Sequence, residues 1–131
     1  MDAITGTWQL VRTSSKRADG GDMPPPYGGA KAMGRVVLNA DGRMMAVLID
    51  GRPALPSGVP REYTSYCGSY TFDGKTLITR VDAASDPARM GTDQVRDVHF
   101  EGDLMVLRPP LRSYGADAEQ RELHWRRISD D

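Results

Sequence analysis

Three tight turns, each placing glycine beside aspartate between two apolar runs, confine this chain to antiparallel β structure. Val36-Val37-Leu38 passes through Asn39-Ala40-Asp41-Gly42 into Met44–Ile49. Tyr70-Thr71-Phe72 passes through Asp73-Gly74 into Thr76–Thr79, and Val95–Phe100 passes through Glu101-Gly102-Asp103 into Leu104–Leu107. Gly and Asp tolerate the positive φ that tight hairpins demand, and the flanking runs are rich in β-branched and aromatic residues. Further strands are predicted over Gly6–Thr13 and Gln120–Ile128. No segment has the periodicity of a strong amphipathic helix, and no repeat of solenoid length is present. An open sheet of so many short strands would leave two edges unpaired, and closure removes them. The expectation is an all-β, up-and-down antiparallel β-barrel of about eight strands or slightly more. Such a barrel either fills with side chains or holds one small ligand.

Two long segments break the hairpin rhythm. Ala18–Ala32 carries Gly20-Gly21 and Pro24-Pro25-Pro26, and Asp50–Thr64 carries Pro53, Pro56 and Pro60. Proline removes a backbone donor and fixes φ, so both are predicted as loops with at most one helical turn. Long irregular connections on a small β-domain are often functional rims or plain surface loops.

Composition narrows the function classes. With 131 residues the chain suits one domain, expected to span 1–131. Seventeen basic and 18 acidic residues give a net charge of −1, a balance without the field that draws in nucleic acid or an anionic membrane. No run approaches the ~18 apolar residues of a membrane helix. The start, Met1-Asp2-Ala3-Ile4, lacks the basic and apolar segments of a secretory leader. The single cysteine, Cys67, cannot form an internal disulfide, which suits a cytoplasmic protein. His99 and His124 stand alone, so no metal spacing and no cofactor motif is present.

Strand alternation sorts the candidate ligand-binding residues. In Gln94–Phe100 one face carries Gln94, Arg96, Val98 and Phe100, and its aromatic makes it the expected inward face. An inward Arg96 needs an acceptor: a carboxylate or enolate on a ligand, or an internal partner such as Asp93 or Glu122. Tyr66, Gly68, Tyr70 and Phe72 share a face, so two phenols could hydrogen-bond a carbonyl or phenolic ligand. Tyr27 is placed at the cavity mouth on the proline-rich segment. Met44, alternating with Ala46 and Leu48, is the cavity methionine, while Met45 and Met105 are assigned to ordinary packing. His99 and His124 fall on outward faces and are expected to face solvent. Both faces of Leu104–Leu107 are apolar. Val95, or Met105 with Leu107, would therefore serve a sheet-to-sheet homodimer contact.

The longer pattern resembles a known family. Gly6-Thr7-Trp8 matches the Gly-x-Trp signature of lipocalins, and Trp125-Arg126-Arg127 in the last strand matches its partner, an arginine that covers the tryptophan ring. With Pro26-Tyr27-Gly28, Gly34, Asp41-Gly42-Arg43-Met44, Pro87, Gly91-Thr92-Asp93-Gln94-Val95-Arg96 and Glu101-Gly102-Asp103-Leu104, nearly the whole chain resembles the bacterial lipocalin-like domain family. The resemblance implies a small intracellular barrel, and some relatives in the wider barrel class bind hydrophobic molecules. With closure and an apolar interior, the expected function is binding of a small hydrophobic or amphipathic organic molecule. The resemblance also admits a cofactor-free isomerase, lyase or cyclase working in the same cavity. Thr79 stands where such proteins often carry a histidine, which removes that acid–base group. Pro53–Tyr66 is short for the helix often found there.

Overall fold

A computed structural model describes residues 4–113 and 118–130; Met1, Asp2 and Ala3, inspected above for a leader, lie outside the described residues. Ten strands follow in order: β1 (Gly6–Arg17), β2 (Asp22–Met23), β3 (Met33–Leu38), β4 (Arg43–Ile49), β5 (Tyr63–Phe72), β6 (Thr76–Ala84), β7 (Asp93–Glu101), β8 (Leu104–Arg108), β9 (Arg112–Ser113) and β10 (Ala118–Ser129). The sheet runs β1-β3-β4-β5-β6-β7-β8-β10, and β10 pairs back onto β1, so the expected antiparallel barrel is closed. The two-residue strands β2 and β9 extend it at the margins. Among the described residues no helix is long and apolar enough to cross a membrane.

Hairpin order separates the two barrel ends. The Gly-containing turns β3–β4, β5–β6 and β7–β8, the start of β1 and the end of β10 gather at one end. The long connections 18–32, 50–62 and 85–92, and the segment 109–113 that follows β8, fall at the other. Tight turns close an end, whereas long segments leave room for a mouth.

Trp8 plugs the tight end. It is buried, its indole N–H donates to Ile4 O at 3.0 Å, and the Arg127 guanidinium lies 4.5 Å from its ring centroid. The lipocalin-type pairing of tryptophan and arginine is therefore present, with Arg127 as the cover. Above it the core is built from inward residues of every long strand, including Leu10, Val36, Leu38, Met44, Leu77, Val98, Met105 and Trp125.

Several expectations from alternation need correction. Phe100 lies on the inward face, opposite Met105, yet is 44% exposed. The strand reaches the tight end there, and Phe100 edges a shallow groove with Trp8 and Arg126 outside the ligand end. Met45 is outward and exposed rather than packed. Met105 and Leu107 are inward and buried, so they cannot form the suggested dimer contact, although Val95 is exposed. The apolar outward residues of β8 are Leu104 and Val106, and Val106 is fully buried. Its cross-strand neighbours His99 and His124 flank it on the outer wall.

His124 is correspondingly not solvent-facing. It is 5% exposed, with Nδ1 4.0 Å from Glu101 and Nε2 3.8 Å from Glu122. Burial lowers its pKa first and the nearby Arg12 lowers it further, while the two glutamates oppose the shift. The unfolded chain therefore takes up this proton before the folded one does. Stability present above about pH 6.5 should be lost as the pH falls toward the folded pKa, at up to ~1.4 kcal/mol per pH unit. Denaturant midpoints from pH 7.5 to 5 should show this slope, and His124→Gln should flatten it. An unchanged slope in the variant would assign the loss to other groups.

Candidate functional site

At the long-loop end the barrel interior opens into a cavity lined by apolar Val36, Ala46, Leu48, Leu107 and Leu123, with Trp125 also on its wall. The empty space between its walls is about 560 Å³, open solvent at the mouth included, but the part that can hold the centre of a water is only about 50 Å³. A water needs roughly 10–15 Å³ of such space, so the deep cavity fits a few waters as it stands. A larger guest requires side chains at the mouth to swing aside. Arg89 is on the cavity wall, its guanidinium 5.9 Å from the Tyr66 ring centroid.

Among the described residues, three guanidinium-bearing side chains line the cavity: Arg89, Arg96 and Arg121. Arg121 is served by carboxylates: its Nε donates to Glu119 at 2.7 Å, and Glu62 lies 3.6 Å from Nη1. Glu119, which also accepts from the Ser15 hydroxyl at 2.8 Å, is buried. Arg89 and Arg96 meet on Gln94. Both donate to the single side-chain oxygen of Gln94, at 2.8 and 2.6 Å. Among the described residues no carboxylate lies within 4.0 Å of Arg89. Of the carboxylates expected near Arg96, Asp93 pairs with Arg80 at 2.8 Å and Glu122 with Arg108 at 2.9 Å.

Tyr27 enters the wall from a short 3₁₀ segment, Pro26–Lys31, and its φ of +56° is a left-handed conformation rare for a side chain of this size. It is held there from several sides. Its backbone N–H donates to Glu62 at 2.8 Å, its hydroxyl lies 2.7 Å from Thr64 Oγ1, and Thr13 donates to Pro26 O beside it. Gly28 follows at φ +82°, where a Cβ would come within 2.6 Å of Asp50 Oδ1. Asp50 is itself buried and doubly bonded by Arg52, whose hydrogen bonds hold its carboxyl below the usual range. Burial raises the Tyr27 pKa, so its phenol stays protonated at neutral pH.

The candidates from sequence therefore divide. Arg96, Tyr66 and Tyr27 line the cavity, and Gln94 sits behind two of its arginines. Tyr70, Met44 and Thr79 point inward but are packed in the core rather than set on the cavity wall. The Tyr70 hydroxyl donates to Asn39 O at 2.7 Å, a structural bond near the tight end. Thr79 pairs with Tyr70 and Gln94 across the sheet and is 1% exposed. Sequence inspection passed over Arg89, Arg121, Thr64 and Trp125 as wall residues. Arg121, Leu123 and Trp125 alternate on one face of β10, a signal that was available. Arg89 sits in the Pro87–Arg89 turn, where no periodicity marks direction.

An eight-stranded antiparallel barrel, plugged at one end by an arginine-covered tryptophan and hollow at the other, defines a lipocalin-type barrel. Residues 5–128 match the family model described as the lipocalin-like domain, and the chain belongs to that family. No curated protein and no solved structure matches the chain.

Proposed function

We propose that this barrel binds a small amphipathic organic molecule, its apolar body among Val36, Ala46, Leu48 and Leu107 and its anionic end at Arg89 and Arg96. One observation carries this reading: two guanidinium groups on a cavity wall converge on one neutral amide oxygen. Like charges held together beside an apolar floor repel, and a guest carboxylate or enolate relieves that repulsion while matching the guanidinium fork. A mostly apolar pocket with a few convergent polar groups is the usual form of a small-molecule site.

The test uses aromatic carboxylates, led by 4-isopropylbenzoate, each beside its primary amide. The acid should bind at least about tenfold tighter than the amide, as charge-assisted hydrogen bonds imply. At a hundredfold excess over its Kd it should stabilise the fold by roughly 2.7 kcal/mol in denaturant titration. Arg89→Met and Arg96→Met should each erase the preference for the acid. Arg89→Met should also leave stability unchanged or raised, since no described carboxylate is stranded by it. Equal affinity for acid and amide, or acid binding indifferent to both substitutions, would refute the assignment.

The strained, protonated Tyr27 favours one second reading, chemistry on the bound molecule. Strained backbone collects at reacting sites, and a phenol beside a guanidinium pair would suit an isomerase, lyase or cyclase acting through an enolate. That reading requires the same anion binding first.

A further inference from the structure

Trp125 belongs to the wall of the cavity, is 2% exposed, and carries a buried indole N–H with no acceptor among the described residues. The other tryptophan shows the contrast: Trp8 donates its indole N–H to Ile4 O at 3.0 Å. A buried donor left without a partner loses its hydration and gains nothing in return, so tryptophans in protein interiors ordinarily find an acceptor. The position of Trp125 is not loose. Its backbone is paired with Leu10 on one side and Met105 on the other, and all three belong to one buried core cluster.

We infer that Trp125 is a specificity-determining residue of the ligand site, donating its indole N–H to a neutral acceptor, a carbonyl or ether oxygen, on the apolar part of the bound molecule. This rests on the binding function proposed above and deepens it. The arginines select for an anionic end. Trp125 adds a second requirement, because a purely hydrocarbon body would bury the donor unserved. The ligand class is then an organic acid with a separate oxygen acceptor, such as a keto or alkoxy acid, rather than a simple fatty or alkyl-aromatic acid. Sites that present a polar group to a ligand discriminate strongly against analogues lacking its partner.

Two nearly isosteric probe pairs test this on the intact protein: 3- and 4-acetylbenzoate against 3- and 4-isopropylbenzoate, in which a carbonyl oxygen replaces a methyl group. At least one acetyl acid should bind about fivefold or more tighter than its isopropyl counterpart, the worth of one neutral hydrogen bond. Trp125→Phe should abolish that preference while keeping preference for acid over amide. Should Trp125→Phe fold poorly, the wild-type indole N–H resonances give an independent readout. One of the two should move downfield with the acetyl acid and not with the isopropyl acid. Equal affinities within both pairs, with both acids bound, would overturn the role of Trp125 and leave the anion site standing, a water then serving the donor. Failure of every acid to bind would overturn both.

Discussion

Trp8→Ala should cost roughly 3–5 kcal/mol of unfolding free energy, the range for large aromatic truncations. The ring is 2% exposed and seals the tight end, so its removal opens a cavity that turn-bound strand ends cannot collapse to fill. It also leaves Ile4 O without its donor. Stabilities of small domains lie near 5–15 kcal/mol, so this change alone could bring the fold close to its threshold. Trp8→Phe guards against an unreadable result. It keeps an aromatic face beneath Arg127 and should lose less than the alanine variant. Arg127→Ala should cost no more than about 1 kcal/mol, because the cation–π contact of a partly exposed side chain is weak. Urea titrations followed by circular dichroism give all three values. A near-neutral Trp8→Ala would show that the barrel does not depend on this plug.

Arg121→Met should be the most damaging single change in the cavity wall, at roughly 3–5 kcal/mol. Its side chain is 17% exposed and that of Glu119 is 7% exposed, with 2.7 Å between them. Removing the arginine strands a buried carboxylate with the Ser15 hydroxyl as its remaining neutral donor. The companion change Glu119→Gln should recover much of the loss, and the double-mutant cycle isolates the pair. Arg89→Met, on the same wall, should cost nothing. The contrast separates a structural arginine from one poised for a ligand. Equal losses for Arg89→Met and Arg121→Met would mean that both are structural.

The route from sequence to site can be followed residue by residue. Glycine-aspartate turns are local chemistry, and they placed the hairpins and the barrel correctly. Alternation is also local, and it turned Arg96, Gln94 and Tyr66 inward. Alternation names a face but not a height along the barrel axis. Tyr70, Met44 and Thr79 share the inward surface with Tyr66 yet lie within packed layers, and Phe100 passes the plug altogether. Strand tilt and register shifts, at Cys67/Gly68 against β6 and at Leu10/Arg12 against β10, set those heights, and neither is written in a single strand.

The outward face carried a similar ambiguity. His124 and Val106 point away from the core but are buried, because neighbouring strands, paired only through long-range register, bring His99, Glu101 and Arg12 around them. The sequence by itself determined the hairpins, the barrel and the inward faces of β5 and β7, since turn propensity and two-residue periodicity act between near neighbours. Only the tertiary structure decided that Arg121 is neutralised by Glu119 and Glu62, that Arg89 joins Arg96 on Gln94, and that the Trp125 N–H is left without an acceptor among the described residues. Those outcomes depend on which distant charges and donors barrel closure brings within about 3 Å, the range in which hydrogen bonds form.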